Sequence, residues 1–247
     1  MGEPIQKDQG NTDMCTGYAV TSASELQEGV ELSPFWQFAK IKQLLGDWKG
    51  WGASLRDACR STVKVGSVKE EYVKGLDVIE SGRDAIANWA NWPEGLEETA
   101  DEHKKHSYFA ITRGGYRSMF DAIKASLWAN RATKRAILVG ALWRQEWTYA
   151  EGGIIPESYG DEGFGHAFLF IGFKHINGMP FLVAHLSNGT DIGDKGRFYF
   201  SESVVNREIG EYGVYVFQDL DADYVKKTYW SWYQKITDFF LKLYGKR

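Results

Sequence analysis

Apolar positions in the first sixty residues recur at alternating steps of three and four, the spacing of a helix with one buried face. Cys15, Tyr18, Ala19, Ser22, Ala23 and Leu26 form the first such stripe, with Asp13 as its expected cap and Gly29 as its stop. Ser33 followed by Pro34 reads as a second helix start, a capping hydroxyl ahead of proline at the first helical position. Phe35, Phe38, Ile41, Leu44 and Leu45 supply its stripe and Gly46 its end. A third helix is expected from about Ser54, carrying Leu55, Ala58 and Cys59.

Residues 94–106 are dense in charge and nearly bare of apolar side chains. They read as a solvated connector and a lobe boundary. Beyond them the period changes. YFAIT (108–112), AILVGALW (136–143), HAFLFIGF (166–173), PFLVAHL (180–186), RFYFS (197–201) and YGVYVF (212–217) are strand-like runs, broken by one helical stretch from Ser118 to Asn130. Asn177-Gly178 is a hairpin turn between two of them. Helices first and a mainly antiparallel sheet afterwards is α+β segregation, not βαβ alternation. The expected division is a helical lobe over about 1–107 and a β lobe over about 108–217.

Composition narrows the function classes. The 247 residues carry 33 acids against 29 bases, so the chain as a whole has no basic footprint for nucleic acid. No apolar run approaches the ~20 residues of a membrane-spanning helix. The opening MGEPIQKDQG lacks a signal-peptide core. Two cysteines, Cys15 and Cys59, make no disulfide framework, which suits a reducing or cytoplasmic compartment. Nothing implies a metal or an organic cofactor.

A nucleophilic cysteine needs a lowered pKa, a base and donors for a developing oxyanion. Cys15 stands in the first turn of its helix, where the amides and the dipole favour a thiolate. Among the five histidines, His103 and His106 fall in the charged stretch and read as solvated, His175 falls in a turn, and His185 ends a strand. His166 opens an apolar strand, where its ring can face a cleft or be buried as a structural group.

These residues carry a resemblance. Gln9-Gly10-Asn11-Thr12-Asp13-Met14-Cys15 resembles the glutamine-glycine to cysteine motif of the papain-like cysteine peptidases, with the cysteine six residues after the glutamine. Gly165-His166-Ala167 with Ile171-Gly172-Phe173 is similar to that family's histidine strand, and Gly193-Asp194-Lys195-Gly196-Arg197-Phe198 to its glycine-rich turn. Leu32-Ser33-Pro34, Gly52 to Ala58, and Tyr149 with Gly152-Gly153-Ile154 follow in the family's order. The resemblance covers about residues 5–217. It implies a two-lobed fold in which Cys15 is the nucleophile, His166 the general base and acid, and Gln9 an oxyanion donor, hydrolysing a polypeptide through a thioester. It also implies that Gly52 pairs with the substrate backbone. Trp51 beside it reads equally as a cleft wall or as core.

The sequence departs from the family at four places. Leu186 falls where the family has the asparagine that orients the histidine, and Asn188, two positions on and on the same side of a continuing strand, is the possible substitute. The family's shielding tryptophan next to that asparagine is absent. Thr12 replaces a cysteine that is often bridged. The sequence begins almost where mature enzymes of the family begin, so a variant without a pro-segment is expected. These departures support an alternative, a catalytically degraded domain that binds or builds in a larger assembly. Acyl transfer or deamidation would use the same residues. Residues 218–247 follow the resemblance with an aromatic amphipathic pattern, read as a C-terminal helix that folds back on its own domain, contacts a protein partner or a second copy through 224–244, or lies on a membrane.

Overall fold

The computed structural model of the chain describes residues 3–75 and 92–218. Helix α1 (Cys15–Glu28) ends at Gly29 in the left-handed conformation, as its sequence predicts. Its start differs. Met14 is the N-cap residue and makes no side-chain cap hydrogen bond, while Asp13 sends its carboxylate to Gly52 instead. Helix α2 (Pro34–Leu45) opens on Ser33, whose hydroxyl accepts from the Trp36 amide, and closes on Gly46 at φ 65°. Helix α3 (Leu55–Lys64) is capped by Ser54, which accepts from the Asp57 amide. Two short helices follow, α4 (Glu70–Val73) and α5 (Leu96–Asp101).

Helix α5 corrects the reading of 94–106 as a solvated connector. Leu96 and Ala100, one turn apart, are buried with Trp36, Val68 and Val73, and this small core holds the segment down. Lys105 is fully buried and bonds Glu28, and His103 Nδ1 lies 2.5 Å from the same carboxylate. His103 is therefore tied to the end of α1 and is not a solvated surface histidine.

The sheet has six strands: β1 (Ser107–Ala110), β2 (Ile137–Arg144), β3 (Gly163–Ile176), β4 (Met179–His185), β5 (Arg197–Ser201) and β6 (Val214–Gln218). Their order is β1-β6-β2-β3-β4-β5 and every pairing is antiparallel. Asn177 (φ 50°) and Gly178 (φ 80°) turn β3 into β4, the left-handed pair that the Asn-Gly signal requires. Helices α6 (Met119–Ala129) and α7 (Glu202–Glu208) start on the serine caps Ser118 and Ser201.

Strand alternation divides the interior into two cores. Leu138 of β2 and Ala167, Leu169 and Ile171 of β3 face the helices, in one core with Met14, Tyr18 and Ala19 at α1 and Phe38 of α2. Ile137, Val139, Trp143, Phe168 and Phe170 face the other way, into a core with Phe198, Phe200, α6 and α7. Each fully buried large side chain here stabilises the fold by about 1.5–3 kcal/mol. Strand β3 thus has α1 on one face and the aromatic core on the other. The result is the α+β architecture expected from the sequence. No helix among the described residues is long and apolar enough to cross a membrane. The C-terminal helix expected over 218–247 lies, after Gln218, outside the described residues.

Candidate active site

Three segments meet at the site. The first is the N-terminal stretch around Gln9. The Gln9 amide donates to Ser187 O at 2.8 Å and the Gly189 amide to Lys7 O at 3.0 Å, with Asp8 and Asn188 paired between them. Residues 7–9 therefore run antiparallel to 187–189. The Ser187 hydroxyl donates to Gln9 Oε1 at 2.7 Å, and Gln9 Nε2 donates to Thr12 O at 3.0 Å. This orients the amide, with its NH2 end turned toward the turn that leads into Cys15. Gln9 is buried. The stretch is further anchored by Lys7 Nζ, which lies 2.9 Å from Glu25 Oε1 on α1 and donates to Leu32 O.

The second segment is the start of α1. Cys15 is its first residue and is partly exposed. The backbone amides of Ala167, Thr16 and Cys15 itself act on the thiol and pull its pKa down, but burial outweighs them and the nearby Asp13 charge adds to burial. The thiol is pushed up to about 11. Loss of hydration thus opposes the thiolate expected at the helix start more than the first-turn amides favour it. Cys59 is buried in the same core, as expected of a small apolar residue.

The third segment is the β3–β4 side. His166 sits opposite Ala141 of β2 and next to Ala167, whose backbone reaches the Cys15 thiol. Burial brings the imidazole down to about 4, and the Asn188 amide acts in the opposite direction. His166 Nε2 and Asn188 Oδ1 are both buried without a well-aligned hydrogen bond, a complementary donor and acceptor that interact loosely. Leu186 cannot take this role. It is buried in the aromatic core, and with Asn188 and His166 it lines a cavity of about 570 Å³.

Sequence reasoning missed the aromatic cover. Trp143 of β2 is buried and sets its ring edge-on to His166, centroids 5.8 Å apart at 70°, with its indole N–H donating to Thr148 Oγ1 at 3.0 Å. Phe164 approaches the same imidazole from 6.0 Å. A tryptophan is thus present at the histidine, contributed by a different strand from the one the family motif uses. Its signal was the register of β2 against β3, which the sequence does not print. Trp51 resolves the other way: it is 79% exposed, so it is no core residue. Gly52 beside it has φ +58° and donates its amide to Asp13 Oδ2 at 2.7 Å. Among the described residues no group of three His, Cys, Asp or Glu could hold a metal ion.

No family model matches the sequence, and no curated protein matches it. Solved structures do. Xylellain, a cysteine protease from Xylella fastidiosa, superposes with a TM-score of 0.67 at 17% identity, over 89% of this chain and 84% of that one. The bromelain protease of Ananas comosus, solved with the E64 inhibitor, gives 0.60 at 16% identity, over 88% and 94%. The Carica candamarcensis cysteine protease CMS1MS2, solved with E-64, gives 0.58 at 14% identity, again over 88% and 94%. The chain has the fold of the papain-like cysteine proteases.

Proposed function

We propose that the protein is a cysteine-type peptidase that cleaves polypeptides through a thioester on Cys15. The observation that supports this reading is a chain of neighbours: the backbone of Ala167, next to His166, reaches the Cys15 thiol, Asn188 acts on His166, and Ser187 beside Asn188 holds Gln9. With the thiol and the imidazole both neutral at rest, His166 acts as general base at the moment of attack. The sulfur bonds to the substrate carbonyl carbon, and its proton passes to the ring nitrogen that is not turned to Asn188. The Cys15 amide and Gln9 Nε2–H stabilise the oxyanion. The imidazolium returns the proton to the departing amine as the C–N bond breaks. Water, deprotonated by His166, then releases the acid and regenerates the thiol. Trp51 walls the peptide-binding edge; the Gly52 amide and carbonyl, expected to pair with the substrate backbone, are instead taken by Asp13 and Lys42.

The test is hydrolysis of a denatured protein substrate by wild type and Cys15→Ala. Loss of cleavage in the variant sustains the reading; equal cleavage removes it. A second reading, a domain that binds peptides without cleaving them, draws on the Cys15 thiol held up near 11. It predicts tight peptide capture and no turnover in the wild type.

A further inference from the structure

We propose that Asp13 and Lys42 are positioning residues that hold the Gly50–Trp51–Gly52 loop in register with Cys15. This rests on the peptidase reading for the use of the loop, but the tether itself stands on geometry. Both glycines in the loop have their amide and their carbonyl engaged by charged side chains. Asp47 Oδ1 accepts from the Gly50 amide at 2.8 Å, and Asp13 Oδ2 accepts from the Gly52 amide at 2.7 Å. Lys42 Nζ donates to Gly50 O at 2.7 Å and to Gly52 O at 2.8 Å. Lys42 comes from α2, is 2% exposed, and has Asp47 at 3.7 Å. A buried ammonium is costly unless it is surrounded by oxygens, and here the loop supplies them.

Another residue at either glycine would disturb the loop, at Gly50 by displacing the Asp47 side chain and at Gly52 by backbone strain. A Cβ on Gly50 would lie 1.9 Å from the Asp47 carboxylate, and Gly52 occupies the left-handed region at φ +58°. Between these fixed points Trp51 is held out into solvent. Fixing an exposed aromatic side chain before a ligand arrives lowers the ordering cost of binding.

Asp13 also explains the bare start of α1. A side-chain cap would occupy first-turn amides, the groups an oxyanion at Cys15 needs. The Asp13 carboxylate turns to Gly52 and ties the loop to the start of α1.

Hydrogen exchange of the segment 47–54, read by mass spectrometry alongside peptide-cleavage kinetics, tests this in wild type, Asp13→Asn, Asp13→Ala and Lys42→Met. Asp13→Asn keeps an acceptor oxygen and removes the charge; Asp13→Ala removes both. Asp13→Ala is expected to speed exchange of the segment and raise KM by about tenfold, the scale of one lost charge-assisted hydrogen bond. Asp13→Asn should retain most of the protection and the KM. Lys42→Met should match or exceed Asp13→Ala while the rest of the chain stays protected. Exchange in Asp13→Ala equal to wild type overturns the proposal, as does equal loss in Asp13→Asn and Asp13→Ala. If the wild type cleaves nothing, the peptidase reading fails by itself, and faster exchange in Asp13→Ala than in Asp13→Asn still sustains the tether.

Discussion

The indole of Trp143 meets the imidazole of His166 edge to face, 5.8 Å between centroids, from the strand paired with the histidine's own. Its bulk covers one side of the ring. Truncating it to alanine is expected to cost about 3–5 kcal/mol of stability, since it also packs on Trp147, Phe168 and Phe198. Trp143→Phe separates shielding from packing. It should keep the fold and lower kcat while KM holds, with the His166 ring resonances in NMR shifting toward a hydrated imidazole. Unchanged resonances in a folded Trp143→Phe would remove the shielding role.

Gln9 is held by two bonds that fix its orientation, to Ser187 and to Thr12 O. Gln9→Ala is expected to reduce kcat by about 10²–10³-fold, the usual loss for one oxyanion donor. Ser187→Ala should lower kcat less, because the Gln9 amide keeps its Thr12 contact. Steady-state kinetics on one peptide substrate checks both, and a Gln9→Ala effect confined to KM would contradict the assignment.

Acid should destabilise the fold over a defined window. Burial lowers His166 to about 4, and burial together with the Arg197 charge lowers His185 to about 4. An unfolded histidine takes up its proton near 6.5, so the unfolded state binds more protons between about pH 6.5 and 4. Stability is therefore highest above 6.5, falls as pH drops toward 4, and levels off below, by roughly 3 kcal/mol for each histidine at most. Thermal melts of wild type against a His166→Gln, His185→Gln double variant should converge as pH falls. Parallel curves across the window would refute this.

Lys7 and Glu25 form a nearly buried pair, with side chains 9% and 1% exposed. Burial raises the Glu25 carboxyl pKa, while Lys7 pulls the other way. Lys7→Met removes the partner of a buried carboxylate and is expected to cost about 3–5 kcal/mol in urea melts. Replacing both, Lys7→Met with Glu25→Leu, should recover most of that loss.

Much of this was written in local sequence. The Ser33-Pro34 and Ser54 caps, the Gly29 and Gly46 stops and the Asn177-Gly178 turn each rest on neighbours within a few residues, so propensity alone could locate them. The rest depends on distant partners. The 94–106 stretch looks solvated until Leu96 and Ala100 find Trp36, and Lys105 looks exposed until Glu28 arrives from 77 residues away. Asp13 reads as a cap because nothing nearby shows Gly52, 39 residues on, competing for its carboxylate. At the candidate site, Cys15 and His166 stand out in the sequence by residue type and setting. The thiol's pKa does not, because it depends on burial made by β3.

The pairing of residues 7–9 with 187–189 also sets an order of events in time. Ser187 and Gln9 are 178 positions apart, so the Gln9 side-chain amide is not held until the chain has passed β4. A nascent chain halted before residue 187 already carries Cys15, but neither Ser187 nor Asn188. Under the peptidase reading such a chain is harmless to its neighbours, and competence arrives only when the last strands close on the first.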